Sequence, residues 1–350
     1  MRGTVLASWF RVAPLSLLLV SASLANAMPA REGSADGDSE RAAFADTAAG
    51  QAPAGVDSFR PLALDEWRIS YRFLGTWQSG NRIGSERVSA AEALAFDPDY
   101  ESVPETRDTV THILGLDWAP HDRITLVVRL PLHSIDEQST SVGGPLVPDL
   151  HSGGVGDLSL GFMLPFMRKG EESSSVTLMI GAPTGSIDER GAGGLDPYPL
   201  QLGAGSWTMS PGFNYSGRKR DLSWGGQFRA LFTLNDNARD YNRGTEWHAT
   251  AWLGWSLADW LSASLRAGWN RQGSTLGSDA RLAKPFTSPT QDAWKQSGQR
   301  IDLGPGINLR LPCCAGQRLA LEAMFPLWQD LEGPQLGNRW VLNAAWQMSF

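Results

Sequence analysis

The stretch Asn338-Arg-Trp-Val-Leu-Asn-Ala-Ala-Trp-Gln-Met-Ser-Phe350, at the end of the chain, decides the fold. Every second side chain counted back from Phe350 is apolar, whereas the alternate set is mostly polar. A two-residue period with one apolar face predicts a β-strand. A last strand that ends on an aromatic residue is typical of bacterial outer-membrane barrels, because the barrel assembly machinery recognises that strand. We therefore expect a transmembrane β-barrel, with Trp340, Trp346 and Phe350 as its assembly signal.

The composition agrees with a barrel and argues against helical membrane spans. The mean hydropathy is only -0.23, as expected where lipid-facing and lumen-facing residues alternate and cancel in the average. The 15 Trp residues indicate the aromatic girdles that form at the two membrane interfaces. The formal net charge of -7, without a basic stripe, gives no support to nucleic-acid binding.

The N-terminal part of the chain predicts export and then a segment without regular structure. Residues 1–27 combine two Arg, an apolar run and the tripeptide Ala25-Asn26-Ala27, which is the pattern of a cleaved secretory signal peptide. Residues 28–62 are rich in Ala, Gly, Ser and Asp and show no periodicity. We expect a flexible periplasmic segment there, too short and too polar to form a plug domain. Residues 63–350 are assigned to a barrel in the outer membrane.

From Trp67 onward the two-residue alternation recurs in about twelve segments, so we predict an all-β antiparallel barrel of about 12 strands, with 10 to 14 left open. Each segment has roughly the length that a tilted strand needs to cross the membrane. An even strand number puts both ends of the barrel in the periplasm. The long connections then face outward, near residues 78–107, 134–153, 183–204, 235–245, 271–297 and 329–337. A soluble β-sandwich also alternates, but it does not predict alternating long and short connections.

The face opposite the apolar one carries more Arg than acidic residues. The cations are Arg68, Arg72, Arg129, Arg229, Arg266, Arg300, Arg310 and Arg318, and the acids are Asp117, Asp157, Asp302 and Glu322. Rings of Arg in a pore favour anionic solutes, so these residues are candidates for selectivity toward small organic or aromatic acids. The alternative is a salt-bridged network that fills a narrow barrel and does not conduct. The sequence leaves both open.

Four Gly-rich or Pro-rich blocks carry a family resemblance. They are Gly153-Gly-Val-Gly-Asp-Leu-Ser-Leu-Gly161, Ala182-Pro-Thr-Gly185, Gln201-Leu-Gly-Ala-Gly-Ser206 and Pro326-Leu-Trp-Gln-Asp-Leu-Glu-Gly-Pro-Gln-Leu336. Together they resemble the phenol meta-pathway (MetA-type) outer-membrane family over about residues 60–350. The resemblance implies an outer-membrane channel or transporter and only hints at an aromatic solute. In physical terms, the glycines permit positive φ where an external loop re-enters the wall, and Asp157 can accept backbone hydrogen bonds or meet a lumen Arg.

Other chemistry is weakly indicated. A barrel-type lipid hydrolase needs a Ser, a His and a polar partner on its outer wall, and only His112 and the pair His151-Ser152 are candidates, without a nucleophile elbow. We predict no enzyme, and no cofactor or metal site, because phosphate loops, dinucleotide fingerprints and paired metal ligands are lacking. Cys313 and Cys314 are either turn residues or a strained disulfide.

The expected partners follow from this location. They are outer-membrane lipid and lipopolysaccharide, the barrel assembly machinery, and small organic solutes. The acidic residues of the predicted outer loops offer one route to lipopolysaccharide, through shared divalent cations, although solvated charge is the simpler interpretation. The oligomeric state is left open by the sequence.

Overall fold

The computed structural model describes residues 48–57, 60–141, 147–169, 171–191, 194–282, 285–311 and 316–350. The predicted signal peptide, residues 28–47 and the cysteine pair at 313–314 lie outside these ranges. Within the described ranges, no helix is both long enough and apolar enough to cross a bilayer.

A closed antiparallel sheet of eleven strands forms the wall of the molecule. Each strand pairs with the next one along the chain, and the last strand returns to pair with the first. A closed sheet has no edge, so backbone groups in the bilayer are paired within the wall. The predicted all-β antiparallel barrel is confirmed. The strands are β1 (Trp67–Gly84), β2 (Val103–His121), β3 (Ile124–Thr140), β4 (Ser159–Lys169), β5 (Glu172–Gly181), β6 (Thr208–Lys219), β7 (Leu222–Thr233), β8 (Glu246–Ala258), β9 (Leu261–Gln272), β10 (Gly298–Arg310) and β11 (Gln317–Ser349).

The last strand, β11, is a hairpin with two arms. Residues 318–331 pair with β10, whereas residues 331–349 pair with β1. The arms lie side by side, since the Ser349 N–H donates to the Gly316 carbonyl (3.0 Å) and the Asn343 amide donates to the Glu322 carboxylate (3.1 Å). Ten single strands plus two arms give twelve crossings of the wall, in agreement with the predicted count of about 12.

The wall strands extend outward beyond the apolar band. Strands β1, β2 and β3 contain 18, 19 and 17 residues, whereas about 9 to 11 suffice to cross the bilayer. The predicted outer connections near 78–107 and 134–153 are therefore too long. Beyond the membrane both faces of a strand are polar, so hydrophobic alternation no longer reveals where pairing ends. Two short strands, Glu86–Val88 and Leu150–Val155, continue the sheet on the outer side.

Side-chain exposure is the reverse of that in a soluble protein. Leu160, Leu321 and Phe325 are 46–49% exposed, whereas Asp117 and Glu322 are 1% exposed. Soluble proteins almost never bury charges fully and place their large apolar groups inside. The predicted alternation thus describes an apolar outer surface and a polar interior, as a bilayer requires.

Two stacked Trp pairs mark the two membrane interfaces. Trp67 stacks on Trp118 with ring centroids 5.1 Å apart, and Trp77 stacks on Trp340 at 3.9 Å. Trp67 and Trp77 are ten residues apart on β1, which corresponds to about 33 Å along a strand. A strand tilted by about 40° covers about 25 Å of membrane height over that length, the usual thickness of the apolar band.

Phe350 joins the two ends of the barrel wall. Its N–H donates to the Trp67 carbonyl (3.0 Å), and the Trp67 N–H donates to the Phe350 carbonyl (2.8 Å). Deletion of Phe350 removes both bonds and the terminal aromatic, so we expect less folded barrel in outer-membrane fractions, measured by heat-modifiable mobility in electrophoresis. Phe350→Tyr, which keeps an aromatic ring and both backbone bonds, is the control. Equal folded yields for the deletion and the wild type would contradict an assembly role.

The described part of the N-terminal segment lies inside the barrel. This luminal segment comprises residues 48–57 and 60–62, and its Ala48, Ala52 and Leu62 are only 1–3% exposed. The Ser262 hydroxyl donates to the Ala48 carbonyl (3.0 Å), and the Leu62 N–H donates to the Thr125 hydroxyl (2.9 Å). The prediction of a flexible periplasmic segment is wrong for these residues. Their side chains are buried and their backbone groups are bonded by the wall, which offsets the entropy lost on ordering.

Candidate functional site

Asp57 of the luminal segment occupies the centre of the lumen. Its carboxylate forms ion pairs with Arg72 of β1 (2.9 Å) and Arg129 of β3 (3.0 Å). Its backbone carbonyl accepts a hydrogen bond from the Gln227 side chain of β7 (2.7 Å). Three wall strands therefore hold one short, irregular segment across the lumen through polar contacts alone.

A second carboxylate, Asp117 of β2, lies between two of the predicted arginines. Arg68 donates to Asp117 at 2.6 Å and Arg129 donates to it at 2.5 Å. Because Arg129 also contacts Asp57, the five groups form one continuous chain, with three cations against two carboxylates. Such bidentate, charge-assisted contacts are strong and geometrically specific. The chain has an excess of one positive charge.

Arg229 of β7 is the exposed member of this group. It lies close enough to Asp57 and Arg72 to influence both electrostatically, yet its side chain is exposed. In the described part of the chain it makes no ion pair. It is thus the lumen cation most accessible to a solute.

A second ion-paired cluster lies where β9 meets the hairpin β11. Arg266 donates to both oxygens of Glu322, at 2.5 and 2.8 Å. The luminal segment passes directly over this pair at Gly55, where an added Cβ would lie 2.3 Å from Arg266 Nη2. Only a residue without a side chain fits there without displacing the pair. Further out, Arg300 donates to Asp302 at 2.9 Å.

The remaining predicted cations lie toward the periplasmic end. Arg318 donates to the Ala52 carbonyl of the luminal segment and to the Asn308 side chain (2.5 Å). Arg310 lies opposite Arg318 in the sheet and is partly buried. Arg318 thus adds another link between the wall and the luminal segment.

Asp157 does not meet a lumen arginine as the selectivity hypothesis required. Its two carboxylate oxygens accept hydrogen bonds from the backbone N–H groups of Gly185 (2.8 Å) and Ala204 (2.7 Å). These are contacts to the external loop that follows β5. Asp157 therefore fixes that loop to the wall, which is the structural role that its Gly-rich surroundings also suggested.

The lumen is basic on balance. The correction at Asp157 removes one predicted acid, and the discovery of Asp57 adds one, so the number of acids stays at four. The cations are Arg68, Arg72, Arg129, Arg229, Arg266, Arg300 and Arg318, and the acids are Asp57, Asp117, Asp302 and Glu322. The sequence analysis missed Asp57 because it treated its segment as unstructured. The signal available was the run Ala52-Pro-Ala-Gly-Val56, whose small residues suit close packing.

The outer loops pack into a cap with a small core of its own. Tyr198 and Tyr241 meet edge-to-face at 5.0 Å, and burial raises the pKa of both phenols. Asp188 pairs with Arg239 (3.1 Å) and Arg281 (2.5 Å). Hydrogen bonds from these two guanidiniums hold the pKa of Asp188 below its usual value. The cap is thus ordered by ion pairs as well as by packing.

The acidic loop residues already have basic partners. Asp136 contacts His151 (2.8 Å), Glu137 contacts Arg107 (2.5 Å), and Asp188 is paired within the cap. No group of three or more potential metal ligands occurs in the described ranges. These carboxylates are therefore poorly placed to share a divalent cation with lipopolysaccharide.

The candidate hydrolase residues point to different partners. Ser152 is 1% exposed and donates to Asp196 (3.3 Å), whereas His151 is exposed and contacts Asp136. His112 contacts the Tyr71 hydroxyl at 2.7 Å. A hydrolase needs the His as the base for the Ser hydroxyl, and these residues do not form that arrangement.

The geometry defines an outer-membrane β-barrel with a polar, ion-paired lumen. The chain belongs to the family described as putative MetA-pathway of phenol degradation, whose model matches residues 105–281, half of the chain. A search of curated proteins found no match.

Solved barrels share the architecture. The COG4313 outer membrane channel from Pseudomonas putida F1 aligns with a TM-score of 0.61 and 15% identity, over 84% of this chain and 99% of that one. The transport unit of the autotransporter AIDA-I from Escherichia coli gives 0.47 and 9% identity, over 90% of this chain and 98% of that one. A Pseudomonas aeruginosa FadL homologue gives 0.41 and 9%, over 88% and 93%. At these identities the first match shows the fold, and the other two carry no argument.

Proposed function

We propose that the protein is an outer-membrane channel for the passive passage of small organic solutes, with aromatic or anionic compounds as the preferred class. The observation that carries the proposal is a basic lumen crossed by a short segment that polar contacts hold in place. The family's description supports an aromatic solute, and the Pseudomonas putida barrel that shares this fold is an outer membrane channel. We further propose that residues 1–27 direct export and that the barrel resides in the outer membrane.

The ion pairs of Asp57 suggest how an anionic solute would pass. A solute carboxylate attracted by exposed Arg229 can take the place of the Asp57 carboxylate on Arg72 and Arg129. Exchange of one carboxylate for another leaves no buried guanidinium unpaired, so it avoids the large penalty of breaking a buried ion pair. The luminal segment then acts as a displaceable gate, and the arginines act as the selectivity element.

The selectivity can be measured by reversal potential in a salt gradient across a planar bilayer. We expect anion preference in the wild type and a shift toward cations in Arg229→Gln, because that residue is the exposed lumen cation. Arg123→Gln, in the exposed turn between β2 and β3, removes the same charge outside the lumen and is the control. Cation preference in the wild type, or no change in Arg229→Gln, would contradict the proposal.

The second candidate function is a closed barrel without transport. It is favoured by the same ion-pair network, since Asp117 and Glu322 are 1% exposed and fully engaged. The two candidates differ in one observable. A closed barrel shows no solute-dependent conductance and no uptake of labelled aromatic acids by cells that contain it.

A further inference from the structure

A cationic recess lies at the outer end of the seam where the barrel closes, between β1 and β11. It encloses about 320 Å³ and is lined by residues 79–82, 87–88 and 337–339. The charged residues of its lining are Arg82, Arg87 and Arg339, and no carboxylate lines it. We call it the seam recess.

The charges of the seam recess are not balanced within the protein. Arg82 of β1 lies directly opposite Arg87 of the short strand Glu86–Val88, and like charges at opposed positions of a sheet destabilise it. Arg82 donates to the Ser85 carbonyl (2.7 Å). Among the described residues, none of the three guanidiniums has a carboxylate within 4.0 Å. The paired arginines of the lumen are the opposite case.

Irregular strand pairing creates the recess. The register between β1 and β11 shifts after Trp77, and the pairing passes from Trp340 to Asn338, which leaves Arg339 as a bulged residue. A bulge re-aims a side chain and interrupts the sheet locally. Next to it, a Cβ on Gly337 would lie 2.9 Å from Nε of Arg82, so the absence of a side chain lets Arg82 lie against this strand.

The recess lies at the height of the outer-leaflet headgroups. The Trp77–Trp340 stack marks the outer membrane interface, and Ser79 follows Trp77 by two residues on β1. Alternate residues of a strand share a face, so Ser79 and the recess beside it lie on the outward face of the wall. A ligand there is presented by the membrane and not by the lumen.

We propose that the seam recess binds a phosphomonoester group carried by an outer-leaflet glycolipid, the chemistry of lipopolysaccharide. Arg guanidiniums match phosphate oxygens with paired hydrogen bonds, and a bound phosphate offsets the opposed charges of Arg82 and Arg87. Free phosphate has the same binding chemistry, but the position beside the interface Trp pair favours a lipid-borne group. The proposal does not rest on solute passage.

The test is native mass spectrometry of the refolded full barrel with lipid A that bears two phosphates. We expect the variant R82Q/R87Q/R339Q to bind this lipid at least about tenfold more weakly than the wild type, a difference of about 1.4 kcal/mol. Arg87→Gln alone, on an exposed strand outside the wall, is expected to weaken binding severalfold. Arg190→Gln, an exposed external arginine outside the recess, should bind as the wild type does.

Two chemical controls complete the test. Dephosphorylated lipid A should bind the wild type as weakly as the phosphorylated lipid binds the triple variant. Equal binding of phosphorylated and dephosphorylated lipid, or undiminished binding by the triple variant, overturns the proposal. Displacement of lipid A by inorganic phosphate at the same molar affinity overturns the lipid assignment and indicates a free-anion site. If the triple variant fails to fold, Arg87→Gln with these same lipids decides the outcome.

Discussion

Asp57→Asn is expected to open the barrel. The substitution removes the carboxylate that pairs with Arg72 and Arg129, so the luminal segment loses its central attachment. Each 1.4 kcal/mol of lost attachment raises the displaced fraction about tenfold. Because the Asp57 carboxylate is 21% exposed, the loss is smaller than for a fully buried pair. We expect at least about a tenfold rise in the open fraction, recorded as single-channel openings in planar bilayers.

The control for Asp57→Asn is Asp221→Asn. Asp221 is exposed in the turn between β6 and β7, and its described contact is made by its backbone carbonyl, which accepts from the Ser256 N–H. The control removes the same charge without touching the lumen, so its conductance should equal that of the wild type. Deletion of residues 48–57 sets the fully open level. If Asp57→Asn conducts as little as the wild type while the deletion opens the pore, contacts other than Asp57 hold the segment.

Asp117→Asn is expected to cause the largest loss of stability. Asp117 is 1% exposed and receives Arg68 and Arg129 at 2.6 and 2.5 Å. Neutralising it leaves two buried guanidiniums without their shared counter-charge, and breaking a buried pair in this way costs about 3–5 kcal/mol. Urea unfolding of the barrel in lipid vesicles measures the change in the free energy of unfolding.

Asp302→Asn is the matched comparison. Asp302 is also buried, but its partner Arg300 has a side chain that is 33% exposed and retains water. The loss of free energy of unfolding should therefore be clearly smaller than for Asp117→Asn. Equal losses for the two variants would contradict the view that the shared position of Asp117 between two buried arginines makes it exceptional.

The wall of the barrel was predictable because a bilayer imposes a strict rule on sequence. Strands must place apolar groups toward lipid and polar groups inside, so the phase of Leu160, Phe325 and Arg129 followed from counting in twos. The closing strand was also predictable, and the pairing of Tyr71 with Trp346 and of Ile69 with Met348 joins the first and last strands as expected. What the rule does not constrain is any residue outside the wall.

The lumen was predictable only in composition. Alternation placed Arg68, Arg72 and Arg266 inside, but which carboxylate each would meet depends on strand register and on chain segments far away in sequence. Asp157 shows the difference, since its phase on β4 suggested the lumen whereas its partners are backbone groups of an external loop. Periodicity gives the side of a strand on which a residue lies, and not its partner.

By itself, the sequence determined the closed antiparallel barrel, its approximate number of crossings and its basic interior, because the stretch from Asn338 to Phe350 and its counterparts repeat one pattern at every crossing. Only the tertiary structure decided that Asp57 crosses the lumen and that Arg339 is bulged beside Arg82. Both depend on irregular backbone, which carries no period in sequence. Their positions are set by long-range contacts with the completed wall.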